Sequence, residues 1–112
     1  MEKASLYQDL TYNDNKVAIN VLFDTDFTKE IRILLKAGQA MKEHQSPFPI
    51  VVQIVEGKID FGVSGVVQHL QKGDLVALEG NLRHDLQAVE DSVVRLTLTK
   101  MDNTARVKKV VD

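Results

Sequence analysis

Cysteine is absent from this chain. That single absence excludes a disulfide scaffold, a thiolate zinc site and a thiol nucleophile. An excess of charge of one sign is missing as well. Lys and Arg number 14 against 16 Asp and Glu, a formal net charge of −2. A nucleic-acid binder needs a basic stripe or patch, so no nucleic-acid partner is expected. No apolar run approaches the roughly 18 residues of a spanning helix, so no membrane partner is expected either. The opening Met1-Glu2-Lys3-Ala4-Ser5 has neither the basic start nor the apolar block of a secretion signal. The expectation is a cytoplasmic protein. Internal repeats, low-complexity tracts and Pro/Ser linkers are also lacking. With 112 residues, the chain is expected to form one domain, 1–112, around one core.

What is present is punctuation and alternation. Glycines stand at 38, 57, 62, 65, 73 and 80, and prolines at 47 and 49. Such spacing marks turns between short strands. Eight β-rich runs fill the intervals: 16–23, 30–37, 50–55, 58–63, 66–70, 74–78, 82–88 and 93–99. In the last, Val94, Leu96 and Leu98 alternate with Val93, Arg95 and Thr97, the period of a half-buried strand. Glu56-Gly57 and Ser64-Gly65 each separate two runs by two residues, which predicts two tight hairpins. Lys72-Gly73-Asp74 predicts a third turn. About eight or more short strands remove their exposed edges best by closing, so an all-β small barrel or jelly roll is predicted. Residues 4–12 suit one helical turn. The tail 104–112 is locally basic and suits a short helix or a strand equally well.

Few residues could carry chemistry. His44 and His84 both stand beside turns at strand starts, where barrel mouths place ligand-contacting groups. Imidazoles from two strands suit Zn, Cu, Fe or Ni. The bland alternative is two satisfied or exposed loop histidines. His69 has no assigned face. Glu43 and Glu79 flank the histidines in sequence and could act as acid or base, though solvated turn charges read the same way. Ser46 has no G-x-S-x-G elbow around it. Gly62 and Gly65 are not followed by the Lys-Ser/Thr of a phosphate loop.

These residues resemble the two motifs of the cupin superfamily, in particular its small single-domain members. The first motif is G-x5-H-x-H-x3,4-E-x6-G, matched here by Gly38, His44 and Gly57. The second is G-x5-P-x-G-x2-H-x3-N, matched by Gly73 and His84. Gly57 and Gly73 are separated by 15 residues. The resemblance covers about residues 30–100 and implies a cupin-type double-stranded β-helix, an RmlC-like jelly roll.

The departures concern the metal. The resemblance implies a centre of two histidines and a glutamate from the first motif and one histidine from the second. Here Ser46 replaces the second histidine, and Ile50 or Val51 the glutamate. In the second motif Glu79, Asn81 and Ala88 replace Pro, Gly and Asn. A hydroxyl is a poor ligand for a transition metal and an aliphatic chain is none. No cofactor is therefore required, and at most a weak divalent site on His44 and His84, for Zn, Ni, Fe or Cu, is expected.

The reading that follows is a small-molecule binder with a pocket around His44, Ser46, Gln53 and His84. The alternative is a metal-dependent cupin enzyme of the dioxygenase or isomerase type, with His44 and His84 as ligands. What separates them is whether a carboxylate shares the cavity with both histidines. A homodimer is expected from the exposed edges of a small barrel and its apolar first strand.

Overall fold

The computed structural model describes residues 1–100. The tail 104–112 lies outside the described residues. The described residues form nine strands and no helix: β1 Ala18–Asp24, β2 Thr28–Leu35, β3 Ala40–His44, β4 Ile50–Glu56, β5 Lys58–Val63, β6 Val66–Gln71, β7 Leu75–Leu78, β8 His84–Ala88 and β9 Ser92–Thr99. They make a five-stranded sheet, β1-β2-β9-β4-β7, and a four-stranded sheet, β3-β8-β5-β6. Every neighbouring pair is antiparallel.

Alternation explains why the sheets pack. Ile31, Ile33 and Leu35 of β2, Ile50, Val52 and Ile54 of β4, and Val94 of β9 project from one sheet into a single buried cluster. Ile59 and Phe61 of β5, with Leu86 and Ala88 of β8, meet them from the other. Burying such side chains is worth about 1.5–3 kcal/mol each before the entropy of ordering them. A second, smaller cluster of Leu34, Val55 and Val93 is covered by Leu6 and Tyr12, from the segment before β1.

That first segment is not helical, contrary to the sequence expectation for 4–12. Arg32 is the reason. Its guanidinium donates to the carbonyls of Leu6, Gln8 and Asp9, at 3.2, 2.6 and 3.2 Å. The backbone acceptors are thus turned towards one side chain. Asp9 takes a left-handed conformation (φ 55°) within the same stretch.

Of the two predicted hairpins, one forms. Ser64 and Gly65 both have positive φ, 51° and 79°, and join the paired strands β5 and β6. Positive φ at both central residues is the primed turn that suits hairpin twist. Glu56-Gly57 is different. It joins strands of different sheets, so it is a corner at which the chain crosses the sandwich. The Lys72-Gly73 turn carries the chain back beside it. Lys72 donates to the Gly57 carbonyl at 3.1 Å, and Gly73 to that of Ile54 at 2.7 Å. Two crossings side by side tie the sheets together at this end.

Strand β3 is an element the sequence reading lacks. Ala40-Met41-Lys42-Glu43-His44 has no β-branched residue, and the strand lies at a sheet edge with β8 as its sole ladder partner. Sheet context overrides propensity at such positions.

Candidate functional site

Between the sheets, at the end away from the Gly57 corner, lies a cavity of about 330 Å³. Its walls are aliphatic, including Ile31, Ile33, Ile50, Leu96 and Leu98. Ile19 and Met41 stand on its β1 and β3 sides. Its polar lining comes from His44, Gln45, Ser46 and His84. Among the described residues, no Asp, Glu, Lys or Arg side chain lines it.

The strand register brings the two histidines together. His44 ends β3 and His84 begins β8, and the two are direct partners across the ladder. An irregularity between Met41 and His44 precedes that pairing and re-aims the end of the strand, as bulges do. The imidazole centroids are 4.3 Å apart, with the rings inclined at 61°. Phe61 also stacks on His84, at 5.8 Å and 12°. His84 is 3% exposed, so its imidazole is fixed from several sides.

Both rings have their Nδ1 committed. His44 Nδ1 lies 2.8 Å from the Lys42 carbonyl oxygen. His84 Nδ1 lies 3.0 Å from that of Leu82. A carbonyl oxygen only accepts, so each Nδ1 carries the proton. In a neutral imidazole the lone pair is then on Nε2. Neither Nε2 has a partner among the described residues, and no fully buried side-chain nitrogen or oxygen lacks one. Neither Nε2 is therefore fully buried, and both residues line the cavity. Burial lowers the His84 pKa below the ordinary 6.5, helped by the nearby His44 and opposed by the Leu82 carbonyl and Asp85. His84 is thus neutral at neutral pH.

Two loops close the mouth. The Asn81 N–H donates to the Ser46 carbonyl at 2.6 Å. Gly80 runs so close to the Pro47 carbonyl that a Cβ there would collide with it. Asn81 stands where the resemblance implied a glycine and has φ of 67°, a region Asn tolerates better than most residues. The Ser46 hydroxyl accepts a long 3.4 Å bond from the Phe48 N–H, which leaves its own proton available.

The other sequence candidates are elsewhere. Gln53 is not part of this cavity. Within β4, Ile50, Val52 and Ile54 face inwards, so Gln53 faces out, in a shallow depression with Val51, Leu75, Arg95 and Thr97. The same parity puts Ile50, not Val51, in the cavity at the position where the resemblance implied glutamate. His69 is exposed and pairs with Asp60 at 2.7 Å. Glu43 pairs with Arg83 at 3.0 Å, and Glu79 is exposed. The sequence reading did not name β1 and β2 as the source of the aliphatic lining. Alternation in 30–37 carried that signal, but the opposing sheet could not be inferred from it.

No family model matches the chain, and no curated protein matches it. Solved structures do. An RmlC-like cupin protein from Desulfovibrio desulfuricans is 20% identical and superposes with a TM-score of 0.82, over 88% of this chain and 96% of its own. The chain has the cupin fold. A conserved protein with a double-stranded β-helix domain from Klebsiella pneumoniae, 16% identical, superposes at 0.80 over 88% of this chain and 84% of its own. KdgF from Halomonas sp., also 16% identical, superposes at 0.71 over 88% and 95%.

The cupin fold raises the question of a metal. The described residues contain no group of three or more His, Cys, Asp or Glu placed to hold one. In the cavity the donors are two imidazoles, one amide and one hydroxyl. First-row ions call for more nitrogen, sulfur or carboxylate donors than this, so the donor set does not fit a closed cupin metal centre. As for membranes, no helix among the described residues is long and apolar enough to cross one.

Proposed function

We propose that this cupin binds a small organic molecule in the cavity between its sheets, with His44, His84 and Ser46 orienting it. The observation that carries the proposal is the pairing of an aliphatic chamber of about 330 Å³ with two imidazoles whose Nε2 atoms are unpartnered. A mostly apolar pocket with a few convergent polar groups is the common form of a ligand site. The enzyme reading needed a carboxylate beside both histidines, and none of the described residues brings one to the cavity. We further propose that the protein works as a homodimer in the cytoplasm. The apolar side chains of Ile19 and Val21, more than half exposed on edge strand β1, support the dimer.

The test is a thermal-shift screen of metabolites. Compounds that raise Tm in the wild type are expected to lose their effect in His44→Ala/His84→Ala. They should lose it also in Met41→Trp, which fills the cavity from an edge strand with room to adjust. Stabilisers that act equally on all three proteins would sink the proposal.

A further inference from the structure

The polar groups of this cavity define the chemistry of what it binds, an inference that rests on the small-molecule reading above. Three observations bear on it. Among the described residues the lining has no Asp, Glu, Lys or Arg side chain. An ionised carboxylate or phosphate would enter an aliphatic chamber with no countercharge, at a high desolvation cost. Next, both imidazoles have donated their Nδ1 protons to backbone carbonyls. In the neutral imidazoles the Nε2 atoms are then acceptors. Third, the rings are cross-strand neighbours with centroids 4.3 Å apart, and both residues line the same cavity. The remaining walls offer aliphatic contact only, apart from Gln45 and the Ser46 hydroxyl.

We propose that the ligand is an uncharged, largely aliphatic molecule that presents neighbouring hydroxyl or N–H donors to Nε2 of His44 and His84. The imidazole pair acts as a donor-selecting floor and the aliphatic walls hold the body of the molecule. Acidic ligands are rejected because nothing neutralises them. Ethers and esters of the same shape are rejected because they leave two acceptors unpaired.

Two NMR measurements on the full chain test this. Long-range proton–nitrogen correlation of the imidazoles at neutral pH reads the tautomers directly, and the Nδ1–H form is expected for both. The protein is then titrated with three probes of matched shape: the vicinal diol of hexane, its dimethyl ether, and hexanoate. The diol is expected to shift the Nε2 resonances of both histidines. The ether should bind about tenfold or more weaker, since each lost hydrogen bond is worth a factor of several. Hexanoate should bind no better than the ether. Equal binding of diol and ether, tighter binding of hexanoate, or an Nε2–H tautomer on either ring would overturn the ligand class and leave the cavity a binding site. If none of the probes moves either histidine and the metabolite screen finds no cavity-dependent stabiliser, the small-molecule reading fails with it.

Discussion

Two buried titratable side chains are expected to contribute to how this protein responds to acid. His84 has its pKa depressed, chiefly by burial. The unfolded chain therefore binds a proton more readily than the folded one, and stability rises with pH across that range. His84's favourable contribution is complete above its ordinary pKa of 6.5 and is lost as pH falls towards the folded value. We expect urea midpoints to fall between about pH 8 and about pH 5, and His84→Phe to flatten that slope. An unchanged slope would mean that His84 does not set it. Glu30 acts in the carboxylate range. It is 5% exposed and sits on the outer face of the five-stranded sheet. Burial pushes its pKa up, but donation from Thr28, Thr97 and Arg95 outweighs this and holds it below 4.5. Thr28 reaches one oxygen at 2.7 Å, and Thr97 and Arg95 reach the other at 2.7 and 3.0 Å. Stability from Glu30 is thus present above its ordinary pKa and lost as pH falls through the folded value. Glu30→Gln should cost about 1–3 kcal/mol at pH 7 and remove part of the acid loss. Urea unfolding at pH 7 matching the wild type would show that the network stabilises nothing.

At the scale of elements, the corner at Gly57 shows what the sequence could and could not reveal. The glycine was legible as a turn, but the two-residue spacing predicted a hairpin. The structure makes it a crossing, with φ of 94° and a Cβ position overlapping Ser92 Oγ and 2.6 Å from the Asp91 carbonyl oxygen. Gly57→Ala then combines left-handed strain with a collision against the start of β9. A loss of about 2–4 kcal/mol is expected, read as a fall in Tm. Gly38→Ala shares the positive φ but has open space around its Cβ position, so it should cost markedly less. Equal losses would show that φ, not the collision, decides. The strands themselves were legible because each keeps one apolar face, as 93–99 does. β3 was not, because an exposed edge strand needs no apolar face. The histidine pair was half legible. Motif spacing singled out His44 and His84, while their contact depends on a register between β3 and β8 that no local pattern encodes. Gln53 was misplaced for a simpler reason, since its side depends on the parity of β4 counted from Ile50.

The whole molecule carries an imbalance that bears on assembly. The sandwich ends at β1 on one side, and there Ile19 and Val21 are 56% and 54% exposed. Two residues apart on a strand, they share a face, and Ile19 also lines the cavity. Strand β1 is irregular between Val21 and Phe23, and such a bulge discourages edge-to-edge pairing with another chain. Association through the apolar face is left as the favourable route. A second copy seated there would cover Ile19 and Val21 beside the cavity mouth, so the dimer and the binding site would share a wall. A stable interface needs about 1,600 Å² in total, more than two side chains supply, so the contact must extend along β1. Light scattering should therefore give twice the chain mass of 12.6 kDa. Ile19→Lys/Val21→Lys should halve it with little loss of Tm, because both side chains already meet water in the single chain. A wild type that stays at one chain mass at high concentration would rule the dimer out. A dimer that survives the double substitution would move the interface to another edge.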